Sequence, residues 1–299
     1  ADNGVVDEGV SCAPRSVTLQ QAINMTRRRT GMSAMAAAFG DDVAVVDVGI
    51  AADVPGVGIL DRKVRRGTGN IAVEDAMTRP EALAAMAAGM EQAARARADS
   101  ITALGVGEMG IGNTSTSAAV LSALTGADIE AVTGRGGGLT DEGFARKKDV
   151  LRRALTRRAV DKDDVLDVLC AVGGLDIAAM AGAFLGCAHE RIPAAVDGFI
   201  SITAALCAVR LCPATRDYLF LSHDSYEIGY RIAVEDLGLR PCLRLDMRLG
   251  EGSGCPLLFR VLEGACGVMA GMATFAQAAI QDDYLDEIRA GDSFTVDKP

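Results

Sequence analysis

The sequence predicts an α/β fold built on an open, mostly parallel sheet with helices on its faces. Two observations carry that reading. Short β-branched runs alternate with longer helical patterns, and each run is apolar throughout and stops at a turn residue. The composition agrees: of 299 residues 49 % are hydrophobic but only 4 % aromatic, with no Trp, so Ala, Val, Leu and Met must fill the core. Ala-rich helices packed closely on a sheet suit that palette.

The strands read as Val43–Val48 ending at Gly49, Ser100–Leu104 ending at Gly105, Pro193–Val196 ending at Asp197-Gly198, and Tyr218–Leu221 ending at Ser222-His223. Helices are expected at 81–98, 114–125, 141–158, 175–189, 199–211 and 225–236, with Pro80 and Glu81 placed where a helix start wants them. Residues 11–39 and the apolar stretch at about 256–281 also read as helical, and Met269, Met272 and Phe275 at helical spacing read as core. The expected organisation is an α/β domain at 40–250 and a small, mainly helical domain from both chain ends, 1–39 with 251–299. Ala1-Asp2-Asn3-Gly4 lacks an initiator Met and reads as a strand end turning into a loop, as though a segment before it had been lost.

Forty acidic residues against thirty basic ones give a formal charge of −10. Nucleic-acid surfaces draw affinity from neutralised phosphates, so no nucleic-acid partner is expected, and the Arg27-Arg28-Arg29 run reads as a solvated face. No stretch reads as a membrane span or signal peptide, which points to the cytoplasm. The eight cysteines form no C-x-x-C pair and most sit in apolar runs, reading as buried free thiols. The only histidines, His189 and His223, have no metal-ligand spacing, so neither a metal nor another cofactor is expected.

Three loops and one strand end could carry chemistry. Gly105-Val-Gly107-Glu-Met-Gly110 is a literal G-x-G-x-x-G between a strand and a helix. A dinucleotide-binding dehydrogenase reading fails on Glu108, whose charge would oppose a pyrophosphate. Thr133-Gly-Arg-Gly-Gly-Gly138 leads into a helix and offers backbone N–H groups to an anion, with Lys147 two turns further on; a merely flexible, capped loop explains it equally well. Ser222-His223-Asp224 invites a hydrolase reading, but adjacent residues cannot by themselves form a triad relay. In Met247-Arg-Leu-Gly-Glu251-Gly-Ser-Gly254, a carboxylate stands between glycines. It reads either as a helix-entry acid or as a general base admitting a ligand, its pKa raised by a pocket that includes Leu249.

Taken in order, Gly107–Thr114, Thr133–Glu142, Ala171–Met180, Val196–Phe199 and Arg248–Gly252 resemble the nicotinate-nucleotide:dimethylbenzimidazole phosphoribosyltransferases of cobalamin nucleotide-loop assembly. The resemblance runs from Ala1 to about Ala278. It implies a Rossmann-like sheet, a homodimer and no metal requirement. It matches Glu251 to the catalytic glutamate, and Leu249, Ser11 and either Gln20 or Gln21 to contacts with the acceptor base. Glu108, Gly136, Lys147 and Ser225 match contacts to the ribose and phosphate of the nucleotide. The implied reaction moves phosphoribose from nicotinate mononucleotide to a benzimidazole-like base. The rival reading is a catalytically quiet nucleotide-binding homologue. Asn3 and Ala13 stand where the family usually carries His and an aromatic, both near the expected base pocket.

Overall fold

The computed structural model describes residues 1–56, 58–157, 159–281 and 283–286; position 158 of one predicted helix and residues 287–299 of the predicted terminal domain lie outside these. The chain forms two compact units whose boundary in sequence lies between Phe259 and Arg260.

The first unit opens with a 3-10 turn, Gly4–Glu8, followed by α1 (Ser16–Thr26) and α2 (Gly31–Phe39). Thr30 and Ser33 cap the start of α2 reciprocally, and left-handed Gly40 ends it. Parallel strands β1 (Val45–Asp47) and β2 (Ile59–Asp61) pair with Val45 opposite Ile59. α3 (Arg79–Ala98) starts as its sequence predicts, with Pro80 in the first turn and a Thr78–Glu81 capping box. Then come β3 (Leu104–Val106), α4 (Asn113–Thr125), α5 (Ile129–Val132), α6 (Asp141–Arg157), α7 (Val165–Val172) and α8 (Leu175–Glu190). The unit closes with β4 (Ala194–Val196), α9 (Phe199–Leu211), β5 (Leu219–Leu221), α10 (Tyr230–Leu237) and the first turn of α11 (Cys255–Gly271).

The fold is α/β with parallel pairing, but the strands lie in two sheets: β1-β2, and β3-β4-β5 with Leu104, Ala194 and Leu219 abreast. β3 begins later than expected. Ser100 takes a left-handed conformation and Ile101 N–H bonds back to Ala96 O, so residues 99–101 finish α3 rather than starting a strand. α10 also starts late, because 225–229 form a loop at the end of β5.

The core sits where α8 and α9 pack on the three-stranded sheet and α3 packs on α8. α3 and α8 approach so closely that a Cβ on Gly89 would strike the Ala179 carbonyl and one on Gly182 the Met86 carbonyl. The Ala-rich composition serves this contact, since small side chains let helix backbones approach. Among the described residues no disulfide joins the eight cysteines, but only Cys170, Cys187, Cys207 and Cys255 are buried; Cys12, Cys212, Cys242 and Cys266 are exposed, in loops or on helix faces the apolar-run reading did not resolve.

In the second unit α11 continues to Gly271 and a 3-10 turn spans Asp283–Leu285. Among the described residues no helix is long and apolar enough to cross a membrane.

Candidate active site

In open parallel sheets, ligands bind outside the carboxyl ends of the strands. Here β3 delivers Gly107–Gly112, β4 delivers Asp197-Gly198, and β5 delivers Ser222–Gly229. A returning segment runs beside the last of these, held by Leu243 N–H to Ser222 O, Asp224 N–H to Leu243 O and Tyr226 N–H to Met247 O. It carries the chain into the Glu251 loop.

Glu251 is buried, and its side chain lies against α1 and α2. Gln21 Nε2 donates to Oε1 at 3.4 Å and Met32 N–H donates to Oε2 at 3.3 Å. Of the two candidate glutamines, Gln21 reaches the carboxylate; Gln20 is exposed, one residue and so about 100° round α1. Leu249 is 58 % exposed, its side chain lying over Gly31. The backbone at the loop is unusual: Gly250, Glu251 and Gly252 all have positive φ, at 80°, 63° and 86°. A non-glycine residue there is strained. Gly252 lies directly against Gly107, whose missing Cβ would collide with Gly252 N and Cα.

Glu108 stands beside this loop. It accepts from Asn113 Nδ2, a very short contact, and from the backbone N–H of Glu251. Asn113 Nδ2 also reaches Asp176 Oδ2 at 3.1 Å. Asp197 is buried and accepts from Gly254 N–H at 2.7 Å and Gly252 N–H at 3.1 Å. Burial pushes Glu108 up to about 7, with Asp176 and Asp197 adding repulsion against Asn113 and the Glu251 N–H. Burial likewise raises Asp197 to about 6, opposed by its backbone donors.

A cation occupies the other side. Lys147 is 1 % exposed and lies on the buried stripe of α6 with Val150, Leu151 and Ala154. Nζ donates to Thr114 Oγ1 at 2.9 Å. Gly136, at φ 55°, passes so close that a Cβ would meet Thr114 Oγ1 at 2.9 Å and Lys147 Nζ at 3.6 Å. Burial pulls Lys147 down to about 8, with Glu227 opposing. α4 starts here at an N-cap glycine with no side-chain cap, which suits an anion. Ser11, Cys12, Ala13, Gly112, Arg135 and Gly136 share the adjoining cleft, and Ser11 Oγ closes a tight turn by bonding Ala13 N–H and O. Ser225 is buried beside Gly198.

The hydrolase and dinucleotide readings find no support in this geometry. Ser222 Oγ at 3.0 Å and Asp197 Oδ1 at 3.8 Å both address His223 Nδ1, whereas a relay needs different ring nitrogens. Burial also lowers the His223 pKa, with Asp224 opposing. Gly105, Gly107 and Gly110 face Cys255, Gly252 and Asp176, so these glycines serve close packing.

Residues 1–280 match the family model described as Phosphoribosyltransferase. The chain belongs to that family. The nicotinate-nucleotide–dimethylbenzimidazole phosphoribosyltransferase of Clostridium perfringens (strain 13 / Type A) is 46 % identical over 296 residues, covering 99 % of this chain and 82 % of that protein. The enzyme of the same name from Geobacter metallireducens is 46 % identical over 282 residues, 94 % of this chain and 80 % of its own length. The crystal structure of CobT from Thermus thermophilus superposes with a TM-score of 0.90 at 43 % identity, over 94 % of this chain and 84 % of that one.

Sequence reasoning about this phosphoribosyltransferase assigned no role to Asp197, Asn113 or Asp176. Their signal was position alone: each lies at or just after a strand end or helix start, in a motif singled out for other reasons. The raised carboxyls have a measurable consequence. A carboxyl whose folded pKa lies above its unfolded value holds a proton the unfolded chain releases, so stability falls as pH rises between the two values. For Glu108 that window runs from 4.5 to about 7. Glu108→Gln is therefore expected to melt a few degrees above the parent near pH 8 and to lose that advantage near pH 4. An equal gain at both would show that the Glu108 charge carries no such cost.

Proposed function

We propose that this phosphoribosyltransferase transfers phosphoribose from nicotinate mononucleotide to 5,6-dimethylbenzimidazole or a related base, releasing nicotinate, as a cytoplasmic homodimer. The observation that carries the reading is a buried carboxylate, Glu251, in a loop that meets the β3 loop, while the sequence-adjacent pair Asn113-Thr114 links Glu108 to buried Lys147. The relatives' printed names supply the donor and acceptor.

In this reading Lys147, Gly136 and the α4 N-terminus hold the phosphate, and Glu108 and Ser225 face the ribose. Leu249, Ser11 and Gln21, rather than Gln20, border the acceptor. One ring nitrogen of the base attacks C1′ while the bond to the pyridinium nitrogen breaks, its electron pair returning to the nicotinate ring. Glu251 takes the proton from the other ring nitrogen. The donor's leaving group is already cationic and needs no acid, so positioning and one base suffice. Attack from the opposite face turns a β nucleotide into an α nucleotide.

The direct test mixes the protein with nicotinate mononucleotide and a panel of bases, with products read by mass spectrometry. Release of nicotinate with formation of an α-ribazole-phosphate-type nucleotide is expected. Binding of the nucleotide without release for any base would mark a catalytically quiet homologue. The same panel tests Ala13, which lines the cleft where relatives are expected to carry an aromatic. Aromatic contacts add roughly 0.5–1.5 kcal/mol beyond area burial, so Ala13→Tyr should sharpen preference for dimethylbenzimidazole over adenine by roughly 2- to 12-fold. An unchanged ratio would remove position 13 from acceptor choice.

A further inference from the structure

Three consecutive left-handed residues do not hold themselves. Gly250 and Gly252 accept positive φ without penalty, but Glu251 between them, at φ 63°, does not. Something must stabilise this backbone against relaxation, and the neighbouring N–H groups show what. Gly252 N–H and Gly254 N–H, which flank Glu251 in the C-terminal direction, both end on one carboxylate, Oδ2 and Oδ1 of Asp197. Asp197 is only 2 % exposed and is itself fixed to the sheet: its N–H donates to Ser201 Oγ, which donates to Val106 O of β3. Its backbone carbonyl accepts from Ser222 Oγ at the end of β5. Gly254 has no room for a side chain because Ser222 and His223 occupy that space. The grip thus connects all three strands of the sheet to the loop.

We propose that Asp197 is a positioning residue for the transfer, clamping the Gly252 and Gly254 N–H groups so that Glu251 stays in its strained conformation with its carboxylate in the cleft. The inference rests on Glu251 as the base. It adds that this base is aimed by a second, buried carboxylate that touches neither substrate.

The test is a double-mutant cycle on steady-state rates with nicotinate mononucleotide and dimethylbenzimidazole, comparing the parent, Asp197→Asn, Glu251→Gln and the double variant. Misplacing a catalytic group by about an ångström costs roughly 100-fold. Asp197→Asn should lower kcat by roughly 10- to 100-fold, leave KM for the nucleotide within about 3-fold, and cost almost nothing further once Glu251 is Gln. An equal loss in both backgrounds, or a loss confined to KM, overturns the positioning role while leaving Glu251 as the base. A Glu251→Gln variant as active as the parent overturns both. If Asp197→Asn does not fold, melting of Glu251→Gly against Glu251→Ala decides. Both lack the carboxylate and its hydrogen bonds and only glycine relieves positive φ, so the glycine variant should melt higher by about 2 °C. No difference would mean that no strain is held at this position, and the proposal fails.

Discussion

Glu251→Gln is expected to cut turnover by about 10²- to 10⁴-fold while nicotinate mononucleotide still binds. The amide is nearly isosteric with the carboxylate. It keeps the Met32 N–H bond through its remaining oxygen. What it cannot do is accept the proton that leaves the base as the new glycosidic bond forms. The Gln21 contact is also compromised, because Gln21 Nε2 is a donor and its own Oε1 is occupied by Asn24 Nδ2. The KM for the acceptor should therefore rise modestly as kcat collapses. Steady-state rates against each substrate separate the two effects. Near-parental turnover at neutral pH would remove Glu251 from proton transfer.

The second large effect is expected at Lys147. A charge-assisted hydrogen bond from a buried lysine is worth about 1.5–3 kcal/mol, so Lys147→Ala should weaken nicotinate mononucleotide by roughly 10- to 150-fold. Affinity for the free base should not change. The pH dependence has a definite sign. Burial holds Lys147 at about 8, so the unliganded cation is lost as pH rises through that value, and parental affinity for the nucleotide should decline above it. The alanine variant should lack that decline. Titration calorimetry across pH, with nucleotide and base as separate ligands, reads both outcomes. Equal weakening of both ligands would mean that Lys147 shapes the cleft rather than meeting a phosphate.

Local signals in this chain were legible because their causes are local. Pro80 and Glu81 mark the start of α3, where the structure adds Thr78 as the partner of Glu81 in a capping box, and the buried stripe of α6 follows its helical period. Where two local patterns competed, or a partner distant in sequence decided, the reading slipped. Ile101 belongs to an apolar run that resembles a strand, yet its N–H closes the end of α3. Residues 225–229 continue a helical pattern, but the chain stays open there beside the cleft. β2 escaped notice because Ile59-Leu60 is too short a run to stand out without its partner β1.

The site divides the same way. Glu251 was visible because glycines on both sides of a lone acid are unusual in sequence. Gln20 and Gln21 could not be separated, since one residue's shift on a helix changes the face and only the packing of α1 decides it. Asp197 carried no visible role because its partners, Gly252 and Gly254, lie more than fifty residues away. Its importance exists only once β4 and the Glu251 loop are brought together.

The contact between Gly107 and Gly252 has a consequence for how this enzyme can change. Where two backbones touch with no side chain between them, neither position offers a gradual path: any new atom separates the loops that carry Glu108 and Glu251. The spacing between Glu108 and Glu251 is therefore frozen by geometry. The turn at Ser11–Ala13 and the exposed Leu249 face no such barrier. On the proposed assignment of these residues to the acceptor, variation in the accepted base can accumulate there one residue at a time, so lineages of this fold can drift in what they attach while the placement of Glu251 stays the same.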